Sequence, residues 1–501
     1  MNTREAVQRA DEELLASLGY KQEFRRAFTP IEVFGIAFSI IGLLPSISSV
    51  LFYAIPNGGG PAMTWGWAVA SVFILFVGMS MAELASAAPT SGGLYFWTHS
   101  LSSPRWRNLL SWIVGYMNTI GSIASVASID WGCAVQVMAA ARIGFERTRV
   151  SSLRMDSFCP GVYAAVVLSH AVVCCLGTTI LARLQSAYVV LNILLCLAVI
   201  IALPIVTPAE FKNTARFALW EFVNLDGWPK GYAFILSFLA PLWTICSFDS
   251  SVHISEEAAN AATAVPWAIV MAIAIAGVLG WAINVALAFC MGTDLQALYD
   301  SDQPMAQIFL NGFGQKGTLG IWAIVVLVQY MMGSSMLLAA SRQTYAFSRD
   351  KALPLSDWLY RMNSFTGTPV NTVWFDAGWA LVLGLLAFAG TEAIDAVFSI
   401  SSLPVAIIAV SFMTFMSVVF MFPSTPVTSV QDMNYAVVVL GGIFILSLAW
   451  YYFPKYGGVH WFTGPVTTIS DIPGIDSQGS TPEDLKKVKS RVHTELVLDD
   501  S

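Results

Sequence analysis

The stretch VFGIAFSIIGLLPSISSVLFYAIPNGGGPAMTWGWAVASVFILFVGMSMA, residues Val33–Ala82, contains no Asp, Glu, Lys or Arg. One span of a lipid bilayer takes about 20 apolar residues, and a charge-free run of 18 or more is a candidate span. Similar charge-free runs lie between Glu257 and Asp294 and between Asp395 and Asp432. We therefore predict a protein that crosses the lipid bilayer several times.

The composition excludes several other classes of protein. Of the 501 residues, 56% are hydrophobic and 11% are charged, and the mean hydropathy is +0.66. A soluble domain carries about 25% charged residues. The net charge of −7 offers no basic surface for nucleic acid. Because the sequence shows no metal-ligand spacing, nucleotide-binding loop or catalytic Ser/His cluster, we expect neither a cofactor nor an enzyme.

Apolar length, together with Gly, Pro and charged residues, divides the chain into a tail at 1–30, a transmembrane domain at 31–453 and a flexible tail at 454–501. The N-terminal tail is expected to be cytoplasmic. Only helices satisfy their backbone in lipid at these lengths, so we predict an all-α integral membrane protein with about 11–12 transmembrane helices. The predicted spans are 31–53, 64–88, 111–141, 159–181, 184–206, 232–252, 266–291, 318–347, 370–390, 393–422 and 433–453.

The region 393–422 is abnormal. It is too long for one ordinary span and too short for two spans with a loop between them. The distribution of Lys and Arg favours an even number of spans, because positive charge accumulates on the cytoplasmic side. The apolar runs number eleven, which is odd. The two counts therefore disagree, and the disagreement arises within 393–422.

Two spans carry residues that weaken a membrane helix. The first contains Ser39, Gly42, Pro45 and Ser46 near its middle, where Gly and Pro destabilise the helix and Ser can satisfy freed backbone groups. This pattern is also typical of a simple kink. The sixth contains PLWTICSFDSSVH, residues Pro241–His253, with a carboxylate and several hydroxyls.

The two weakened spans are five spans apart, which is typical of an inverted repeat with a substrate site at the midplane. Helix N-termini in such a site favour a carboxylate, and an acidic side chain favours an amine. We therefore expect a small zwitterion or amine as substrate. Asp249 is a candidate for both substrate binding and proton coupling, although an acid at the interface explains the same pattern. Asp130 and Glu83 are further proton-coupling candidates.

Several motifs together resemble one family. LGYKQEFRR (18–26) leads into FGIAFSIIGLLPS (34–46), and MAELASAAPTSGGLY (81–95) follows. HISEEAAN (253–260) and SRQTYAFSRD (341–350) come later in the same order. The chain resembles the amino acid–polyamine–organocation superfamily, and within it the fungal amino acid/choline transporter family, which includes permeases for GABA, choline and polyamines.

The resemblance implies a LeuT-type fold with spans 1–5 and 6–10 as inverted repeats. It implies secondary, commonly proton-coupled transport by alternating access. Carried over by position, the first break falls near Ser39, Ile40 and Gly42, and the sixth near Cys246, Ser247 and Asp249. Trp243 matches an aromatic residue that covers the substrate, and Ser335 and Met336 fall near the site-facing turn of the eighth span.

One departure from the family leaves an alternative open. On the resemblance, about 30 residues are absent around Leu403, between the tenth and eleventh spans. The alternative to an importer of an amine or amino acid is therefore a non-transporting sensor or a defective, truncated permease. The plasma membrane and the vacuolar membrane both remain open as its location.

Overall fold

The computed structural model describes residues 3–144, 158–301, 303–385, 415–416, 418–419 and 436–468. Most of the abnormal region 393–422 therefore lies outside the described residues. Eighteen helical segments, labelled α1–α18 in chain order within the described ranges, carry the fold. A single short antiparallel pair, β1 (Asn57–Gly58) and β2 (Val223–Asn224), accompanies them there.

The helices, in chain order from α1 to α18, are Thr3–Ser17, Pro30–Ile41, Leu43–Ala54, Gly59–Ala87, Leu94–Leu101, Arg107–Gly144, Cys159–Cys174, Thr178–Val206, Ala215–Trp220, Lys230–Leu236, Leu239–Thr244, Ser250–His253, Ala261–Cys290, Leu295–Tyr299, Pro304–Arg349, Ser356–Leu359, Val370–Gly384 and Ala436–Tyr451.

The first predicted span is broken in its middle, as its sequence indicates. Helix α2 ends at Ile41, Gly42 has φ 44°, and α3 begins at Leu43. Glycine reaches this left-handed conformation without the steric cost that a β-carbon brings. Pro45 has no N–H to donate, and the Ile41 carbonyl instead accepts a hydrogen bond from Ser46 Oγ at 2.6 Å.

The sixth predicted span is broken as well. Helix α11 ends at Thr244 and α12 begins at Ser250, and Ser247 between them has φ 56°. Helix α3 packs against α11, and α2 packs against α12. The two broken helices therefore run antiparallel with their breaks at one level.

The remaining spans pack in pairs. Helix α4, the second span, packs against α13, the seventh. Helix α6, the third, packs against α15, the eighth, and α7, the fourth, against α17, the ninth. Each of these partners lies five spans further along the chain, the same separation as between the two broken helices.

Long apolar helices and an apolar surface place this fold in a membrane. Six helical stretches in the described residues are long and apolar enough to cross a bilayer, judged by length and composition. Large apolar side chains such as Val72, Ile205 and Val278 are exposed on them. Such a surface fits lipid and is unusual for a water-soluble protein.

The predicted boundary between the fourth and fifth spans was wrong. Helix α8 begins at Thr178, directly after Gly177, rather than at 184, and α7 correspondingly ends at Cys174. Non-helical backbone at Gly314, with φ 66° and ψ 176°, divides α15 into two segments. The second segment starts close to the predicted start of the eighth span at 318, and the first, which begins at Pro304, was not predicted.

Candidate functional site

The break in the sixth span opens onto a cavity of about 290 Å³. A volume of this order is at the small end of ligand-binding pockets. The wall is mostly apolar and comes from α4, α5, α6, α15, α18 and the segment 242–253. Its polar side chains are Asn118, Ser122, Ser125, Ser247, Asp249, Ser250 and His253.

Asp249 supplies the carboxylate of this cavity. Its side chain is 23% exposed, and its Oδ2 lies 3.8 Å from His253 Nε2, one helical turn away. Nδ1 of His253 lies 2.9 Å from the Ser91 carbonyl oxygen. Because a carbonyl only accepts hydrogen bonds, Nδ1 carries a proton.

The second ring nitrogen of His253 faces both Asn118 and Asp249. Nε2 lies 3.3 Å from Asn118 Nδ2, which donates to it when the ring is neutral. In that state Asp249 receives no proton from the ring and its carboxylate is available to a ligand.

Three buried hydroxyls near the two breaks have no hydrogen-bond partner among the described residues. They belong to Ser39, Thr244 and Ser250. Buried polar groups are nearly always paired. Of the three residues, only Ser250 lines the cavity, where its unpaired hydroxyl suits a polar ligand.

The cavity brings together only some of the residues expected from the sequence. Cys246, Ser247, Asp249 and Met336 line it. Ser39, Ile40, Gly42, Trp243 and Ser335 are buried but do not line it. Ser335 Oγ donates to Gln185 Oε1 at 3.0 Å.

The other two proton-coupling candidates lie elsewhere. Asp130 is fully buried and paired with His170 on α7. Glu83 is exposed near the end of α4. Neither lines the cavity.

Two ion pairs join the sequence motifs at one end of the bundle. Arg342 Nε donates to Glu257 Oε1 at 2.6 Å. Arg349 donates to both carboxylate oxygens of Glu256, at 2.9 and 3.0 Å. All four side chains are buried. They fasten the end of α15 to the segment that follows α12.

Sequence reasoning missed His253 and Asn118 as cavity residues. The spacing of Asp249 and His253, four residues apart, was a signal for the first. Asn118 and Ser122 come from α6, which no local pattern connects to the sixth span.

Comparison with known proteins places the chain in a family. The family model for amino acid permeases matches residues 28–408. The chain belongs to the amino acid permease family. This permease is therefore an integral, multi-pass membrane protein, and the family's activity is the secondary transport of amino acids.

Fungal relatives resemble this permease over most of its length. The GABA-specific permease of Saccharomyces cerevisiae is 37% identical over 515 residues, covering 94% of this chain and 88% of that protein. An uncharacterized amino-acid permease of Schizosaccharomyces pombe is 34% identical, covering 93% and 90%. Amino-acid permease 2 of Neurospora crassa is 31% identical, covering 90% and 88%.

Proposed function

We propose that this permease imports a small amino acid or amine of the GABA class, driven by protons. The observation that carries the proposal is the Asp249 carboxylate, which faces a small cavity at the break of the sixth span. A ligand ammonium placed there gains a charge-assisted hydrogen bond in a largely apolar wall. The similarity to a GABA-specific permease supports the same substrate class.

The size and wall of the cavity support a compact substrate. For the substrate carboxylate we propose the break at Gly42, where the N-terminus of α3 presents partial positive charge; Gly42 does not line the Asp249 cavity in this structure, so this assignment requires the cavity to extend to the first break during transport. The unpaired hydroxyl of Ser39 lies in the turn before it. Choline, which has no carboxylate, and polyamines, which carry several ammonium groups, use only the Asp249 half of such a site.

We propose alternating access through a LeuT-type inverted repeat for the transport cycle. The pairing of each span with the one five positions later, and the antiparallel packing of the two broken helices, support this assignment. A fluorescent fusion viewed in fungal cells would show whether the protein lies in the plasma membrane or in the vacuolar membrane.

Uptake measurements test the proposal. Transporter-deficient yeast cells expressing the chain are given radiolabelled GABA, choline or putrescine, with and without a proton gradient. We expect saturable GABA uptake that collapses when the gradient is dissipated. Uptake of none of the three substrates, with the protein present in the membrane, would favour the non-transporting alternative.

A further inference from the structure

A second buried acid–base pair lies outside the substrate cavity, between Asp130 on α6 and His170 on α7. Both carboxylate oxygens of Asp130 lie 3.1 Å from His170 Nδ1, and both side chains are fully buried. The other ring nitrogen, His170 Nε2, has no hydrogen-bond partner among the described residues. A buried nitrogen without a partner is a place where a proton can be gained or lost.

Among the residues that the structure describes, the surroundings of the pair supply no compensating charge. The titratable side chains that face it are thiols and phenols: Cys133 on α6, Tyr163 and Cys174 on α7, and Tyr330 on α15. The guanidinium of Arg342, further along α15, is paired with Glu257. Within the described ranges, no Lys or Arg side chain forms an ion pair with Asp130.

The net charge of the two side chains depends on a single proton. A neutral His170 beside an ionised Asp130 carries one net negative charge. One added proton gives either an imidazolium–carboxylate pair or a neutral acid beside a neutral ring, and both have zero net charge. An uncompensated charge in a buried site costs several kcal/mol. The pair can therefore take up one proton without leaving a net charge in the buried site.

Helix α15 connects this pair to the transport machinery. A β-carbon at Gly333 would overlap Asp130 Oδ1 and lie 2.6 Å from His170 Cε1, so the backbone of α15 rests directly on the pair. The preceding residue, Met332, packs on Gly42 at the first break. Met336, three residues after Gly333, lines the substrate cavity.

Helix α6 makes a second connection to the same break. Gln329 on α15 donates to the Ile129 carbonyl oxygen, immediately before Asp130, at 2.9 Å. Gln136, further along α6, donates to the Pro45 carbonyl oxygen at 3.0 Å. The backbone around the first break is thus hydrogen-bonded to the helix that holds the carboxylate.

We infer that Asp130 and His170 form the proton-binding site of this permease, separate from the substrate site, and that the segment Met332–Met336 couples the two. The inference rests on the proposed proton-driven transport and assigns its coupling site. Asp249 then serves the substrate, and the driving proton binds to the Asp130–His170 pair.

The test separates proton-driven accumulation from exchange. The purified full chain is reconstituted in proteoliposomes with GABA as the probe. Net uptake is driven by an inward proton gradient, and exchange of labelled for unlabelled GABA is measured without a gradient. Exchange requires only that the proton-loaded carrier reorients.

Asp130→Asn imitates the protonated pair permanently. We expect it to lose gradient-driven accumulation by about tenfold or more, equivalent to about 1.4 kcal/mol in coupling, while exchange is retained. His170→Gln leaves Asp130 to titrate alone, so we expect its accumulation to persist with a displaced pH profile. Asp376→Asn, which replaces a fully buried carboxylate that accepts a hydrogen bond from Thr344, is the matched control.

Two results would overturn the inference. One is wild-type accumulation with an unchanged pH profile in Asp130→Asn. The other is a parallel loss of accumulation and exchange in Asp130→Asn, without any change of pH profile in His170→Gln, which would make the pair structural. His170→Gln alone decides the question if Asp130→Asn fails to reach the membrane.

A result for the wild type separates this inference from the proposed function. If the wild type shows no accumulation and no exchange, transport of GABA is refuted. Proton binding by the pair is then read from thermal unfolding of the purified chain between about pH 5.5 and 8. Wild type and Asp130→Asn are expected to differ in pH dependence, and identical profiles would refute the site.

Discussion

Met332 of the eighth span rests directly on Gly42 at the break of the first: a β-carbon at Gly42 would lie 2.7 Å from Met332 Sδ. The same sulfur lies 3.5 Å from Ser46 Oγ. The break is therefore fixed by a neighbouring helix as well as by its own backbone, and movement of α15 and reshaping of the break are mechanically linked.

Gly42→Ala is expected to damage both folding and transport. The left-handed backbone costs a β-carbon about 1–2 kcal/mol, and forcing it against Met332 costs about 1–3 kcal/mol more. Thermal unfolding of the purified protein and GABA uptake measure the two effects. Gly320→Ala on the same helix as Met332 is the control, because a β-carbon there meets nothing within 4 Å; equal damage in both variants would contradict the account.

The buried Arg349–Glu256 pair predicts a non-additive double mutant. Arg349→Met leaves Glu256 charged, buried and unpaired, at a cost of about 3–5 kcal/mol in the free energy of unfolding. Adding Glu256→Gln should recover much of that loss. Unfolding of the single and double variants in detergent measures it, and additive losses would contradict the coupling.

An exposed ion pair provides the comparison for that experiment. Lys351 pairs with Asp357, and both side chains are largely exposed. Solvent screens such pairs strongly. Lys351→Met should therefore leave the unfolding transition unchanged.

Because of Asp350, we expect the folded protein to lose stability as the pH rises. Burial raises the pKa of this carboxyl from 3.8 to about 6, against the opposing effects of Arg349 and of hydrogen bonds from Tyr95, Val466 and Tyr20. Because the folded state binds this proton more tightly, its stabilising contribution is complete below about pH 4 and is lost as the pH rises through 6.

Thermal unfolding between pH 4 and 6.5 checks this contribution. Asp350→Asn removes the titration, so the melting temperature of the variant should fall less over this range than that of the wild type. Equal slopes for the two proteins would contradict the assignment.

The sequence predicts the architecture well where the cause is local. Gly42 and Pro45 mark the first break because both act on their own backbone, and the apolar runs mark the spans because lipid demands them. The helical segment of α15 that precedes Gly314 was missed because its turns are too polar to resemble a span, and packing within the bundle determines that they are helical.

The candidate site is less predictable, because its polar side chains meet only through packing between helices. The cavity residue Asp249 stands out as a carboxylate in an apolar run. Asn118 and His170 do not stand out in the sequence, because each is an ordinary polar residue of its own helix. Their proposed roles depend on contacts with a residue on another helix. The residues assigned to substrate and proton binding remain predictions.

The central claim is that Asp249 binds the substrate, and uptake by Asp249→Asn tests it most directly. Radiolabelled GABA uptake is compared in wild type, Asp249→Asn and Asp294→Asn, each at matched amounts in the membrane. Asp294 is the control because it is exposed and caps a short helix, a role that Asn fills equally well. We predict that Asp249→Asn abolishes uptake and Asp294→Asn does not; unchanged uptake in Asp249→Asn would contradict the account.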